Sequence, residues 1–296
     1  MTPATSERAS LAALRPGDQV HGVFACTRKD RLTARTGSTY LAVELRDRTG
    51  SVPARAFRDA DLLAGQFERG DLVRVNGRVE RFRDELQVEL RDIRRAEEGS
   101  VDPAEFLPVA YRDLGELDGF LEHLAREVYD QGLRRLLDSF LSDEAFRADF
   151  RRAPCTRGGH HAYLGGLLEH TVAVTTLAQE ACVLHPRLDS DLLLAAAILH
   201  DVGKTREFSL GAEIGLSDEG RLLGHVTLGE RIVAERAAAI GVPGERALGL
   251  LHCVVAHHGA DSLPGRRFGS AEALALYRLN ALDASVKGAL EHGLGP

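Results

Sequence analysis

The chain lacks the features that mark secreted and membrane proteins. Its four cysteines are Cys26, Cys155, Cys182 and Cys253. None of them belongs to a Cys-x-x-Cys pair, and their spacing indicates no disulfide framework. No apolar run approaches the roughly 18–20 residues that cross a bilayer, and the N-terminal sequence MTPATSERAS lacks the basic and then apolar order of a signal peptide. We therefore expect a cytoplasmic protein that has no membrane partner.

The chain also lacks the overall positive charge that would favour a nucleic-acid partner. Its formal net charge is −7. The length of 296 residues is enough for two domains, and the hydrophobic content of 44% is that of a globular protein. The charge is uneven, because 17 Lys and Arg stand against 13 Asp and Glu between Arg15 and Arg95, about +4, which leaves about −11 elsewhere. A basic front and an acidic rear can mark a polyanion-binding module joined to another unit, although a solvated surface of mixed charge is the commoner explanation.

The first part of the chain is predicted to be a small β-domain. Apolar and polar residues alternate in residues 41–45, 73–79 and 86–90, and turn-forming residues separate these runs. About five short strands of this kind fit a small barrel or sandwich, and a five-stranded barrel that binds oligonucleotides would be an OB-fold. We assign residues 1–95 to this domain, with its core at about residues 15–95.

The second part is predicted to be all α-helical, so the fold class is a small OB-fold barrel followed by an all-α domain. Residues 96–112 are assigned as a linker because they begin with a stretch rich in proline, glycine and acids. From residue 113 to 296 apolar residues recur with the 3.6-residue period of a helix, and no convincing strand pattern follows the linker. The predicted helical segments include residues 164–184, 190–202, 225–240, 244–256 and 271–289.

Ionisable residues interrupt several of these apolar helices. Residues 191–202 are apolar almost all round, and the pair His200-Asp201 ends this segment. Burying a carboxylate beside an imidazole is costly unless a partner compensates it, and a metal cation would compensate both. Taken alone, the pair could be a structural hydrogen bond. The same pattern recurs at His170, His225, His257, His258 and Asp283. One shared metal site would explain the whole set.

The residue types indicate the chemistry. Imidazole and carboxylate ligands together suit transition metals. We expect His170, His200, Asp201 and Asp283 to hold one ion, while Asp201 bridges to a second ion held by His225 and by His257 or His258. Two ions roughly 3.5–4 Å apart would generate a hydroxide that attacks a phosphodiester and would clamp its oxygens. Lys204, three residues after Asp201, could stabilise phosphate charge, or could simply complement a helix C-terminus.

Candidate substrate contacts lie in both parts of the chain. His160 and His161 precede a Gly-Gly pair and could bind a substrate phosphate, lie near the metals or cap a helix, and Arg157 is a comparable phosphate contact. In the front domain, Tyr40 and Phe82 are the best candidates for stacking nucleobases, because they flank polar loop residues.

Four segments of the chain carry most of these ionisable residues: HHAYLGGLLEHTVAV (160–174), LLLAAAILHDVGKTREFS (192–209), GHVTLGERIV (224–233) and VVAHHG (254–259). They resemble the HD-domain metal-dependent phosphohydrolases, whose pattern is H…HD…D. More narrowly, they resemble the family of YhaM-type 3′→5′ exoribonucleases, which carry an OB-fold before the HD domain. The loop Ala260–Ser270 departs from the family's usual sequence, but Arg266 and Arg267 keep positive charge there and are predicted to contact substrate. Asn280 stands where a second acid often occurs.

The resemblance implies a 3′→5′ exonuclease that degrades single-stranded RNA, with single-stranded DNA as a further substrate, to nucleoside monophosphates. It implies two divalent metal ions, Mn²⁺ or Co²⁺ first, with Fe²⁺ and Ni²⁺ as alternatives. By position, the implied metal ligands are His170, His200, Asp201, His225, His257, His258 and Asp283. Asp201 and Lys204 are the implied catalytic residues.

Two other functions remain open at this point. One is an HD phosphohydrolase of a small nucleotide or cyclic dinucleotide, although such an enzyme would need no strand-binding domain. The other is a nucleic-acid-binding regulator with an inactive HD domain, although an inactive copy would have no need of ionisable groups inside core helices. The sequence is compatible with a homo-oligomer and leaves the choice between His257 and His258 as metal ligand open.

Overall fold

A computed structural model describes residues 10–34, 37–83, 85–97, 99 and 101–293. The chain divides into two compact units, Met1–Pro108 with Leu210–Ile214, and Val109–Ser209 with Gly215–Pro296. The first boundary, after Pro108, falls within the predicted linker of residues 96–112. Residues 1–9, which include most of the segment tested for a signal peptide, lie outside the described residues. Within the described part, no helix is long and apolar enough to cross a membrane.

The first unit is built around a closed five-stranded barrel. Its strands are β1 (Gln19–Thr33), β2 (Thr39–Asp47), β3 (Gly50–Ala56), β4 (Leu72–Phe82) and β5 (Glu85–Arg95), and helix α1 (Ala60–Ala64) connects β3 to β4. The order around the barrel is β1-β2-β3-β5-β4, and all pairs are antiparallel except β3 with β5. In β2, successive side chains point to opposite faces of the strand, so Leu41, Val43 and Leu45 all face the barrel interior and are buried. The predicted barrel is confirmed.

A glycine allows two strands of the barrel to approach each other closely. The pairing of β4 with β5 shifts register between Asn76 and Gly77, as at a β-bulge. A Cβ atom on Gly77 would lie 2.6 Å from the backbone oxygen of Glu89 on β5. Any larger residue at Gly77 would therefore push β5 away at this point of the barrel.

The second unit is helical. Its helices are α2 (Leu114–Arg126), α3 (Gln131–Leu141), α4 (Glu144–Arg152), α5 (Gly166–Leu184), α6 (Ser190–Leu199), α7 (Lys204–Glu207), α8 (Asp218–Ile240), α9 (Gly244–Ala256) and α10 (Ala271–His292). Several begin at a side chain that accepts a hydrogen bond from a backbone N–H of the first turn. These N-cap residues are Asp113, Asp130, Asp143, Asp189, Ser217 and Ser270.

Two local predictions are corrected by the structure. A short hairpin, β6 (Phe208–Leu210) and β7 (Ile214–Leu216), follows α7, although the sequence predicted no strand after the linker. Strands of three residues are too short to show alternation, so no periodic signal announces them. Helix α8 starts at Asp218, whereas the sequence predicted a start at His225. Gly224 interrupts α8 with φ of 69°, which explains why the apolar period restarts at His225.

Helix α6 lies at the centre of the helical unit. Every residue from Leu192 to Leu199 is buried, and α5, α9 and α10 pack against it. The all-round apolar pattern predicted this burial. The chain therefore delivers His200 and Asp201 from the end of α6 directly into the interior, where both side chains are buried.

Candidate metal centre and nucleic-acid surface

Asp201 is the central residue of the site, and its two carboxylate oxygens face two different groups of histidines. On one side, Oδ2 lies 3.2 Å from His200 Nε2 and 3.5 Å from His170 Nε2. Lys204 Nζ donates a hydrogen bond of 2.6 Å to the same oxygen. Atoms of His170, His200 and Asp201 lie close enough together to bind one metal ion.

A second group surrounds the other oxygen of Asp201. Oδ1 lies 3.4 Å from His257 Nε2 and 3.6 Å from His225 Nε2. His258 Nε2 lies 2.8 Å from His225 Nε2, and these three histidines with Asp201 form a second group of metal-ligand spacing. The structure thus brings both His257 and His258 to the site. It places Asp201 between the two groups, as expected for a bridging carboxylate.

Two buried atoms of this site have no hydrogen-bond partner among the described residues: Asp201 Oδ1 and His257 Nε2. A buried polar atom without a partner costs free energy, so such atoms are rare in folded proteins and call for an explanation. A metal ion between Asp201 Oδ1 and His257 Nε2 would satisfy both atoms. The donor set, carboxylate oxygen with imidazole nitrogen, suits a divalent transition metal.

Backbone carbonyls set the tautomers of two of the histidines. His200 Nδ1 donates to Ala197 O at 2.8 Å, and His257 Nδ1 donates to Val254 O at 2.6 Å. A carbonyl oxygen can only accept, so each Nδ1 carries the proton and each Nε2 presents a lone pair to the site. Outer hydrogen bonds of this kind usually orient metal-binding histidines.

The electrostatics keep the ligands in their metal-binding forms. Burial lowers the pKa of His170 to about 4 and that of His258 to about 3, and it also lowers the pKa of His257. These rings are therefore neutral at pH 7, as ligation requires. Burial alone would raise the pKa of Asp201, but Lys204 and His200 hold it well below its ordinary value.

Asp283 occupies a different position from the one expected of a ligand to the first ion. Its Oδ2 accepts a 2.6 Å hydrogen bond from His170 Nδ1 and lies 3.1 Å from His161 Nε2. It forms a group of metal-ligand spacing with His161 and His170, and not with His200 and Asp201. The predicted set of four ligands is therefore divided into two adjoining groups that share His170.

A cavity of about 470 Å³ opens beside the second histidine group. Lys204, Arg157 and His160 line it, as expected for residues that contact substrate. An apolar wall that the sequence did not reveal completes it, formed by Phe208, Leu216, Tyr277, Ala281 and Ala284. Phe208 belongs to the segment 192–209, but no pattern in the sequence shows that the hairpin and α10 contribute these five residues to one wall.

The structure places three predicted substrate contacts elsewhere. His161 is buried, and both of its ring nitrogens are engaged by other side chains, so the structure places it beside Asp283 and not among the residues that line the cavity. Arg266 and Arg267 are exposed and do not line the cavity. Arg266 instead lies 3.9 Å from Asp261 within the same loop. The sequence shows the positive charge of Arg266 and Arg267, but it does not show that they lie outside the cavity lining.

Aromatic and basic side chains gather on one surface of the barrel. The rings of Tyr40 and Phe57 lie 5.5 Å apart, and the Arg55 guanidinium lies over both Tyr40 and Phe82, at 5.8 and 5.3 Å. Arg83 lies 5.3 Å from the ring of Phe82. Phe57 and Phe82 are 50% and 45% exposed. We call these five residues the aromatic surface. The sequence singled out Tyr40 and Phe82 but not Phe57.

The sequence matches two known domain families in the same order as the two units. Residues 23–96 match the OB-fold nucleic acid binding domain, and residues 167–285 match the HD domain. The match to the HD domain spans helices α5 to α9 and most of α10 in the helical unit. The predicted fold class, an OB-fold barrel followed by a helical HD domain, is confirmed by the barrel topology and by both matches.

Similarity to curated proteins extends through both domains. The chain is 29% identical to the 3′-5′ exoribonuclease YhaM of Bacillus velezensis over 82% of this chain and 77% of that protein. It is 27% identical to the YhaM of Halalkalibacterium halodurans over 91% of this chain and 84% of that protein. It is 28% identical to the YhaM of Bacillus subtilis over 82% of this chain and 77% of that protein. The resemblance to YhaM-type exoribonucleases is therefore confirmed, with the HD domain and the OB-fold both included.

Proposed function

We propose that this protein is a metal-dependent 3′→5′ exonuclease that removes nucleoside monophosphates from single-stranded RNA, and from single-stranded DNA as a further substrate. The observation that carries the proposal is the position of Asp201, whose two oxygens face two separate histidine groups. The similarity to YhaM exoribonucleases through both domains supports the same activity.

Two divalent ions, with Mn²⁺ the first choice, would be held by the two groups. His170, His200 and Asp201 would hold one, with Asp283 beside them. Asp201, His225, His257 and His258 would hold the other. When bound, such a pair of ions activates water near neutral pH and stabilises both the attacking and the leaving oxygens of a phosphodiester.

The protein's own cations would bind the scissile phosphate. The Asp201 carboxylate raises the pKa of Lys204 above its ordinary value although burial opposes this, so Lys204 is charged at pH 7. Lys204 and Arg157 both line the cavity, where their charge would attract a phosphate oxygen and stabilise the charge that develops on it. The neighbouring His160 would make a further polar contact to the strand.

The barrel would supply affinity for the strand. Nonspecific single-strand binders combine aromatic faces for base stacking with positive charge for the backbone. The aromatic surface offers both, since Arg55 and Arg83 lie among exposed rings. Stacking on such rings tolerates every base, which suits a degradative enzyme. Action in the cytoplasm is part of this proposal, as expected from the sequence.

The decisive experiment uses single-stranded RNA labelled at its 5′ end, the purified protein and Mn²⁺. We expect a ladder of products that shorten from the 3′ end, and immediate release of a labelled mononucleotide when the label is at the 3′ end. Asp201→Ala should abolish the ladder. Asp218→Ala, which removes an exposed carboxylate of α8 that pairs with Arg221, is the matched control and should leave the ladder unchanged.

Other outcomes would point to the other functions. Hydrolysis of mononucleotides or cyclic dinucleotides without degradation of oligomers would indicate a small-molecule phosphohydrolase. Binding of RNA without cleavage by the Mn²⁺-loaded protein would indicate a regulator and would refute the exonuclease proposal.

A further inference from the structure

We propose that His161 is a positioning residue, which holds the Asp283 carboxylate against His170 and so keeps His170 Nε2 directed at Asp201. The proposal rests on the two-metal function above and assigns different roles to two adjacent histidines. His160 lines the cavity, whereas His161 is 1% exposed. Because both residues are histidines, their side-chain chemistry alone does not show that their roles differ.

Both ring nitrogens of His161 are occupied by protein groups. Nε2 lies 3.1 Å from Asp283 Oδ2, and Nδ1 lies 3.0 Å from the hydroxyl of Tyr163. The backbone N–H of His161 donates to Glu291 Oε2 at 3.0 Å. A substrate phosphate could reach this ring only if these contacts were broken, so a direct substrate role does not fit.

The contact with Asp283 has a directional consequence. His161 and His170 both reach the same carboxylate oxygen, Oδ2, at 3.1 and 2.6 Å. Two partners on one oxygen restrict the rotation of the Asp283 carboxylate, which in turn holds the His170 ring through Nδ1. His170 Nε2, on the opposite edge of its ring, meanwhile faces Asp201. His161 therefore acts on the site through Asp283 and does not itself face the Asp201 carboxylate.

A buried network fixes His161 from behind. The Tyr163 hydroxyl donates to Glu169 Oε2 at 2.7 Å, and Lys287 Nζ donates to Glu169 Oε1 at 3.1 Å. Glu169 also lies 3.7 Å from His161 Nδ1. Hydrogen bonds and ion pairs to both oxygens of a carboxylate that is only 8% exposed give the network little freedom to rearrange.

The network also ties α10 to the first turn of α5 and to the segment before it. Asp283, Lys287 and Glu291 are spaced four residues apart, so they share one face of α10. All three contact the stretch from His161 to Glu169. This face carries Asp283 to His170, and His161 is the residue that links it to Tyr163 and Glu169.

The test measures Mn²⁺ affinity of the full-length protein without RNA, by electron paramagnetic resonance of the free ion. His161→Ala should weaken Mn²⁺ binding about 10–100-fold, the usual effect of removing an outer partner of a metal ligand. KM for RNA should stay unchanged at saturating Mn²⁺. His161→Gln, whose amide can still donate to Asp283, should recover part of the affinity. Arg157→Ala is the matched control, because Arg157 lines the cavity but belongs to no group of metal-ligand spacing; it should keep wild-type Mn²⁺ affinity and raise KM for RNA.

Two results would overturn the proposal. One is wild-type Mn²⁺ affinity in His161→Ala together with a raised KM, because this is the pattern of a substrate contact. If His161→Ala fails to fold, Tyr163→Phe decides, since it keeps the buried ring and removes only the hydroxyl that His161 and Glu169 share. Unchanged Mn²⁺ affinity in Tyr163→Phe would then refute the positioning role. Failure of the exonuclease proposal is a separate result, namely wild-type protein that binds Mn²⁺ and leaves RNA intact.

Discussion

Lys204 Nζ lies 2.6 Å from Asp201 Oδ2, and both side chains are buried at the end of the central helix α6 and the start of α7. The ammonium group neutralises a carboxylate that two histidine groups also face. The same Lys204 lines the cavity, so the cation that neutralises Asp201 is also the one proposed to bind phosphate.

Replacing Lys204 by Met should destabilise the metal-free protein. Breaking a buried ion pair leaves an uncompensated charge, and we expect the free energy of unfolding to fall by about 3–5 kcal/mol. Mn²⁺ should reduce this loss, because the ion takes over the neutralisation of Asp201. Urea unfolding with a chelator and with Mn²⁺ measures both values. Arg231→Met, on an exposed part of α8, is the control and should change stability by less than about 0.5 kcal/mol. A loss in Lys204→Met that Mn²⁺ leaves unchanged would contradict the argument.

Gly203 is expected to tolerate no side chain. A Cβ atom there would lie 2.0 Å from the backbone oxygen of His225 and 2.5 Å from the backbone nitrogen of Gly229, both on α8. Gly203→Ala should therefore lower the free energy of unfolding by about 1–3 kcal/mol and move His225 away from Asp201. Thermal unfolding and a Mn²⁺ titration would show both effects. Gly119→Ala in α2, where a Cβ meets no atom within 4 Å, should instead stabilise the protein by about 0.5–1 kcal/mol. Equal stabilities of the two variants would refute the steric argument.

The sequence predicted the barrel, the central helix and most of the metal centre, because these depend on periodicity and on ionisable residues in apolar helices. The alternation at Leu41, Val43 and Leu45 is a local property, and so is the apolar run that ends at His200 and Asp201. Such patterns can be read without knowledge of tertiary contacts.

The sequence could not predict which side of a site each residue faces. His160 and His161 are adjacent and chemically identical, yet one lines the cavity and the other is buried against Asp283. That difference arises from the packing of α10, which lies more than a hundred residues further along the chain. The place of Phe57 in the aromatic surface also depends on a tertiary contact, because its ring lies beside that of Tyr40 on β2.

The aromatic surface should carry the affinity of the barrel for single strands. Phe82→Ala and Phe57→Ala should each weaken binding of a fluorescent single-stranded oligonucleotide by about 1–3 kcal/mol, roughly 5–150-fold, because each removes a stacking face. Fluorescence anisotropy in the presence of a chelator measures binding without cleavage. Both rings are about half exposed, so the melting temperature should change little. Leu62→Ala, an exposed apolar residue of α1, is the control for general loss of surface area. An equal loss of affinity in Leu62→Ala would argue against stacking.

Metal binding should stabilise the HD domain through the two unpaired atoms, Asp201 Oδ1 and His257 Nε2. A ligand that binds only the folded state adds about 2.7 kcal/mol of stability at a hundred times its Kd. We expect Mn²⁺ to raise the melting temperature, and a chelator to lower it to the metal-free value. His257→Asn should reduce this rise, because it removes one of the two unpaired atoms from the second group.

The matched control for His257→Asn is His252→Asn, on α9, the helix that His257 directly follows. His252 accepts a hydrogen bond from the backbone N–H of Gly269 and belongs to neither histidine group. The His252 variant should keep the full Mn²⁺-dependent rise in melting temperature, even if its metal-free stability changes. If both variants lose the rise equally, the effect comes from α9 as a whole. If neither loses it, His257 is not a ligand, and its unpaired nitrogen needs another explanation.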